Sequence, residues 1–403
     1  MTASSIVDTS AAKGTDVTGR LSARVRQVPA SGIRKFFDIL ATMDDVISLG
    51  VGEPDFVTPP HIMQAGVDSL SKGETHYTSN YGLIELREAV AEYLSNHYGT
   101  DYDPQTEILL TAGVSEAVDI ALRAVIDPGD EVIVPEPAYV SYRPCITFAG
   151  GEPVGINSSA ETNFRITAEQ IAEAITPRTK ALLLGFPANP TGAMLPRTEW
   201  EQIVELANRH NLIMLSDEIY GRLTYTMEHT CVSALPGAWD RTILLGGFSK
   251  SYAMTGWRIG YVAAPSGVLE YIMKVHQYIL MCAPTMSQYA ALQAVKHGEA
   301  DVAGMLEEYT KRRTLIVDGL NEMGLDCVEP DGAFYCFPSI RSTGLSSQAF
   351  AERLLQEEHV ACVAGDAFGP CGDGHVRMCY AVPTSDIEVA LERIENFVNR
   401  ARA

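Results

Sequence analysis

A chain of 403 residues, 46% apolar and 20% charged, carries enough apolar material for a sizeable core and is long enough for two domains. Its 51 acidic against 30 basic residues leave a net charge of −21, which argues against a general nucleic-acid or anionic-membrane binder. No apolar run reaches membrane-span length, the start has no apolar signal-peptide core, and the eight cysteines stand singly, which together suggest free thiols in a reducing cytoplasm rather than a disulfide framework or a zinc site.

Residues 1–30, rich in Ser, Thr and Ala, read as a mobile arm, and Ser31–Met43 as a short amphipathic helix. Val46–Leu49 leads into Gly50-Val51-Gly52-Glu53-Pro54-Asp55, whose glycines and proline suit a loop that brings main-chain N–H groups close to a ligand. Helical patterns follow at Pro59–Lys72 and Leu83–Tyr98. From Glu107 onward strands and helices alternate. The strands are Glu107–Thr111, Glu131–Pro135, Pro153–Ile156, Lys180–Phe186, Leu212–Ser216, Thr242–Gly246 and Arg258–Ala264. The helices are Glu116–Ile126, one after Tyr139, Ala168–Ile175 and Thr198–His210. The strands are apolar throughout, which predicts an α/β fold with a largely parallel sheet covered on both faces. Ala283–Met323 reads as mostly helical and bridges to a smaller mixed unit. That unit comprises strand Ala333–Pro338, helix Ser347–Glu358, strands Val360–Val363 and Gly374–Tyr380, and helix Ser385–Ala401.

Ligands of open parallel sheets bind beyond the carboxyl ends of the strands. Those ends carry Gly113-Val114-Ser115, Tyr139, Asn189, Asp217 with Tyr220, and Lys250. Burial depresses the pKa of an ammonium, and the neutral amine is the form that condenses with an aldehyde. The segment around Lys250 is equally that of a surface lysine after a strand. Gly113–Ser115, at a helix start, offers free N–H groups and a dipole to a phosphate; Ser249 and Arg258 add a hydroxyl and a charge. Tyr139 suits stacking on a flat ring, or core packing. Asp217 suits a pyridine nitrogen, or a helix N-cap. Tyr220 and Asn189 suit a phenolic oxygen, although N-P-T-G is also turn chemistry. Arg377, within the apolar run His375–Tyr380, suits bidentate capture of a carboxylate, or a buried ion pair.

Together these residues resemble the class I and II aminotransferases, fold type I pyridoxal 5′-phosphate (PLP) enzymes. The resemblance rests on S-K-x-x-x-M-T-G-W-R-x-G-Y around Lys250, N-P-T-G at Asn189, S-D-E-I-Y at Ser216–Tyr220, H-Y-T with Y-G and L-R over His76–Arg87, and R-x-x-Y at Arg377. It runs from about Ser31 to the C-terminus. S-G-I-R-K-F-F-D and G-A-F-Y-x-F-P, here Gly332–Pro338, make it most similar to the microbial aspartate and aromatic aminotransferases.

The resemblance implies a large PLP-binding domain with a mostly parallel seven-stranded sheet (51–290), and an interdomain helix with a small α+β domain (291–403) that the segment 31–50 joins. It also implies roles. Lys250 bonds the cofactor and moves the proton, Asp217 pairs with the ring nitrogen, and Asn189 and Tyr220 contact the ring oxygen. Tyr139 stacks on the ring, while Gly113, Val114, Ser115, Ser249 and Arg258 hold the phosphate. Tyr77 reaches a phosphate across a homodimer interface. Gly52, Asn189 and Arg377 bind the substrate carboxylate. The Glu136–Pro137 and Asn189–Pro190 bonds are cis candidates. Many relatives carry serine where this chain has Gly247, so one phosphate hydroxyl is missing. No arginine can be placed for a distal carboxylate, and Ile33 with Phe36 suits an apolar or aromatic substrate side chain. The expected reaction is ping-pong transfer from an L-amino acid to a 2-oxoacid, with pyridoxamine 5′-phosphate as the other cofactor form. A C–S β-lyase or an aminocyclopropane-carboxylate-synthase-like enzyme is the alternative on this scaffold. A cofactor-sensing regulator would need a preceding DNA-binding domain, for which the first thirty residues are too few. No metal, nucleic-acid or membrane partner is expected.

Overall fold

The computed structural model describes residues 17–29, 43 and 45–402. The helix expected over Ser31–Met43 falls almost entirely outside them, as do Ile33 and Phe36. The strands, in chain order, are β1 Ile47–Ser48, β2 Ile108–Thr111, β3 Glu131–Glu136, β4 Glu152–Asn157, β5 Thr179–Gly185, β6 Ile213–Asp217, β7 Thr242–Gly247, β8 Gly260–Ala263, β9 Tyr335–Cys336, β10 Val360–Ala361, β11 Val363–Ala364 and β12 Val376–Cys379.

Seven of them form one sheet in the order β2-β8-β7-β6-β5-β3-β4, in which only β8 runs against its neighbours. The all-apolar runs are explained by burial on both faces. Ile133, Leu182, Leu184 and Met214 pack on one side with Trp200 and Ile203 of the helix Arg197–Arg209. Val132, Val134, Leu183, Leu215, Ile243 and Leu245 face the other side, against Ala117 and Ala121 of the helix Val114–Val125. Leu269 and Ile272 of Ser266–Ile279 join that second layer. The sequence reading gives no element over Ser266–Ile279: Pro265-Ser266-Gly267 at its start reads as a turn, although the buried Leu269, Ile272, Met273 and His276 recur at helical spacing. The helix Thr285–His297 packs against Pro60–Ser71 and Ile84–Tyr98.

The long helix Glu299–Glu322 leads to a three-stranded sheet, β11-β12-β9, and a two-stranded pair, β1-β10. They share a core with Phe350 and Phe397, whose rings meet edge to face at 5.2 Å. Three expected strands are corrected here. Ala333–Pro338 is extended in the ladder only at Tyr335–Cys336. Val360–Val363 splits at Cys362, β10 pairing with β1 and β11 with β12. Arg258 is not in a strand: it is left-handed, at φ 51°, and β8 begins at Gly260. All eight cysteines are free thiols. Among the described residues no helix is long and apolar enough to cross a membrane.

Candidate active site

A cavity of about 380 Å³ lies beyond the C-terminal ends of the parallel strands, a volume that suits a small cofactor with its substrate. Val114 and Ser115 reach it from β2, Tyr139 from β3, Asn189 from β5, Asp217 and Tyr220 from β6, and Ser249 and Lys250 from β7. Arg258, Gly52 and, from β12, Arg377 also line it. Of the expected residues, Gly113 is not itself in the lining but abuts Arg258, Tyr77 is 78% exposed and away from the cavity, and Ile33 lies outside the described residues. The Glu136–Pro137 and Asn189–Pro190 bonds are cis, as is Phe186–Pro187.

Lys250 donates from Nζ to the carbonyl oxygen of Gly52 at 2.6 Å, and Nζ lies 6.0 Å and 5.7 Å from the ring centres of Tyr220 and Phe334. Desolvation by these walls, with a smaller push from Arg377 and Arg258, lowers its pKa to about 8. Lys250 is not exposed and its Nζ is bonded within the cavity, so it is not the surface lysine that the sequence left open.

Across the cavity, burial raises the pKa of Asp217 to about 6, against the opposing hydrogen bonds it accepts. Those bonds come from the Tyr142 hydroxyl at 2.8 Å and the Ile219 N–H at 3.2 Å. Tyr142, three residues beyond Tyr139, opens the helix Tyr142–Ala149 and is a site residue that the sequence reading does not single out. Gly185 makes room for it, because a Cβ there would sit 2.3 Å from the tyrosine oxygen. Replacing Tyr142 by Phe removes a bond that favours the ionised carboxylate, so the Asp217 pKa rises further. If Asp217 pairs with a cofactor's ring nitrogen, cofactor affinity weakens on acidification as Asp217 takes up its proton, and in the variant it is expected to begin to weaken at a higher pH than in the parent. Titrations of the apo-protein across pH 5 to 8 measure this; coincident profiles would contradict it.

The N–H groups of Gly113, Val114 and Ser115 open the helix Val114–Val125 and have no intrahelical partners. Gly113 has φ +78°, and a Cβ on it would lie 2.8 Å from the Arg258 guanidinium, so no other residue fits that turn. Arg258 folds back from its left-handed backbone and donates to the Thr255 carbonyl at 2.8 Å. Among the described residues it has no carboxylate partner. A helix start, an unpaired guanidinium and the hydroxyls of Ser115 and Ser249 make a donor set that fits a phosphate. At Gly247 a Cβ would press on Ile219 and Val114 at 3.1 Å and on the Gly260 backbone at 3.3 Å, which leaves little space for the serine that many relatives carry.

Arg377 donates to Asn189 Oδ1 at 2.9 Å and to the Gly50 carbonyl at 2.6 Å, while its Nε is buried without a partner. It too has no carboxylate partner among the described residues, so the buried ion pair open to the sequence is absent from them. Tyr335 stacks under its guanidinium at 4.6 Å, and the Tyr335 hydroxyl meets that of Tyr220 at 2.7 Å. Tyr335 belonged to a motif noticed only as a resemblance. Its packing is close: a Cβ on Gly52 would lie 2.4 Å from the Tyr335 oxygen.

The donor set thus fits a phosphorylated aromatic aldehyde, with a desolvated amine at one side and a carboxylate at the other. Comparisons with known proteins agree. Residues 44–394 match the family model for aminotransferase class I and II. The chain is 44% identical to the aspartate aminotransferase of Pyrococcus abyssi, covering 95% of this chain and 99% of that protein. It is 42% identical to aromatic-amino-acid aminotransferase 2 of Thermococcus litoralis, with the same coverage. The crystal structure of the aromatic aminotransferase from Pyrococcus horikoshii superposes with a TM-score of 0.87 at 45% identity, over 91% of this chain and 99% of that one. The chain belongs to the class I and II aminotransferases, and it is a PLP-dependent aminotransferase of the α/β fold those enzymes share.

Proposed function

We propose that this enzyme transfers the amino group of an L-amino acid with an aromatic or other apolar side chain to a 2-oxoacid, 2-oxoglutarate foremost, by a ping-pong sequence. The observation that carries the donor class is the charge of the cavity wall. Among the described residues its cations are Lys250, Arg258 and Arg377, each with a proposed task, and the Glu53 carboxylate lies beside them. Among the described residues none is left to hold a distal carboxylate, while Tyr139, Ile219 and Tyr335 supply apolar surface. The relatives named above include both aspartate and aromatic aminotransferases, so substrate choice is the finer question.

When bound, PLP supplies an aldehyde to take up the amino group and a conjugated ring to take up electrons. The chain's own residues divide the remaining work. The Nζ of Lys250, held at Gly52 and partly neutral near pH 8, removes the proton from the substrate Cα and returns it on the other side of the exchange. Asp217 keeps the ring nitrogen protonated, with Tyr142 fixing its orientation. Asn189 and Tyr220 meet the ring oxygen, Tyr139 covers a ring face, and Gly113–Ser115, Ser249 and Arg258 hold the phosphate. Arg377, pre-oriented by Asn189 and Gly50, receives the α-carboxylate with Gly52.

The proposed unit is a homodimer in which Tyr77 reaches the phosphate of the second subunit. Its support is an exposed apolar run, Tyr278-Ile279-Leu280-Met281, on the segment neighbouring Tyr77: Thr285 donates to the His76 carbonyl and Gln288 to Thr78. The proposed division assigns 51–290 to cofactor binding and 291–403 to a small domain, which β1 joins by pairing with β10.

Absorbance scans of the loaded enzyme against single amino acids, without an oxoacid, test the donor. Aromatic donors are expected to discharge the cofactor band and aspartate to do so at least about tenfold less efficiently, the discrimination typical of one missing contact. The reverse order would overturn this assignment. Pyruvate and ammonia from a sulfur amino acid, with no acceptor present, would instead support the lyase chemistry of the same scaffold.

A further inference from the structure

The helix that opens the phosphate turn carries an acid in its first turn. Glu116 is the third residue of Val114–Val125. Such an acid favours a helix dipole, but beside a bound phosphate it would repel. Both its oxygens are turned into the fold. Oε2 accepts the N–H of Ala112 at 2.5 Å, and Oε1 faces Nδ1 of His276 at 2.8 Å. His276 is fully buried in the helix Ser266–Ile279, and its Nε2 is buried without a partner. Facing a carboxylate, Nδ1 must carry the hydrogen.

The residue that Glu116 bonds is the informative detail. In a capping box the acid at the third helical position takes the N–H of the N-cap residue itself. Here the N-cap is Gly113, and the acid takes the N–H one residue earlier. The carbonyl of Gly113 is also committed, accepting from Thr111 Oγ1 at 3.0 Å and from the Ala117 N–H at 3.3 Å. The turn is therefore pinned on both sides of Gly113, while the N–H groups of Gly113, Val114 and Ser115 stay uncommitted. Without His276, Glu116 would be free to swing to the Gly113 N–H and compete with the anion.

We propose that Glu116 and His276 are positioning residues: His276 locks the Glu116 carboxylate onto Ala112, and so presets the Gly113–Ser115 donors for the cofactor phosphate. This rests on the assignment of that turn as the phosphate cradle. Equilibrium titration of the apo-protein with PLP and with pyridoxal, which lacks the phosphate, separates the two. Wild-type protein is expected to prefer PLP by at least about a hundredfold, the scale of several charge-assisted hydrogen bonds; equal affinities would remove the cradle and the proposal with it. Glu116→Ala is expected to lose about tenfold in PLP affinity, the scale of one such bond, with pyridoxal affinity unchanged. Glu116→Gln keeps an acceptor for Ala112 and is expected to stay within about threefold of wild type for both ligands. Equal losses of PLP and pyridoxal in Glu116→Ala would reduce the pair to a support of the fold and overturn the proposal, as would no loss of either.

Discussion

Replacing Lys250 by Ala lowers turnover by at least about 10⁴-fold, the upper range for one positioned acid–base group. The expected loss is this large because the proposed mechanism uses the side chain both as the amine that bonds the cofactor aldehyde and as the group that moves the Cα proton. The phosphate and ring contacts do not involve Nζ, so the variant is expected still to take up the cofactor; after borohydride reduction, dialysis under denaturing conditions releases it from the variant but not from the parent. Steady-state turnover and the dialysed fraction check both halves. The wild-type amine also has a pH signature. With its pKa lowered to about 8 by burial, its neutral fraction, and with it the rate at which apo-protein captures PLP covalently, rises through about pH 8 and then levels. An ordinary lysine would keep rising to about 10.4. Retained turnover in Lys250→Ala would refute the assignment.

Replacing Asp217 by Asn moves activity and stability in opposite directions. Activity falls by about 10³-fold, or about 4 kcal/mol, the scale of losing one preorganised electrostatic partner. The stability effect follows from the raised pKa of the buried carboxylate, about 6 in the folded chain. Between pH 4 and 6 the folded apo-protein holds a proton that the unfolded chain releases, so stability falls as pH rises through that window. Above it the full cost is present, roughly 3 kcal/mol for a shift of about two pKa units. Asparagine removes that cost while keeping an acceptor for the Ile219 N–H. Urea unfolding of the apo-proteins is expected to show Asp217→Asn the more stable at pH 7, and the gain to vanish near pH 4. Equal stability at both pH values would contradict this, and undiminished activity would remove Asp217 from the ring nitrogen.

Lys250, Asp217 and Asn189 were legible because each ends an apolar strand, and a parallel sheet sends all such ends to one edge. Periodicity and turn residues therefore located the cavity without any tertiary information. Tyr142 and Tyr335 were not legible in the same way. A tyrosine acts through a hydroxyl at the far end of its ring, and only packing decides whether that oxygen meets Asp217 or Tyr220. The Glu116–His276 contact spans 160 residues of chain, and only the fold brings its two helices together. Arg258 shows the reverse case. Its role as a cradle charge was expected, but its left-handed backbone was not, because a strand-like sequence Arg258–Ala264 conceals a turn that aims the guanidinium at Gly113. In the small C-terminal sheet, strand lengths were overestimated, since an apolar run such as Val360–Val363 gives no sign that its two halves pair with different strands.

The central claim is that Lys250 is the residue the cofactor bonds. Borohydride reduction of the loaded protein, followed by digestion and peptide mass mapping, tests it most directly. The expected result is a single modified peptide containing Ser249-Lys250-Ser251, with the added mass on Lys250. Modification confined to any other lysine, or none after reduction of protein that has taken up PLP, would contradict the account.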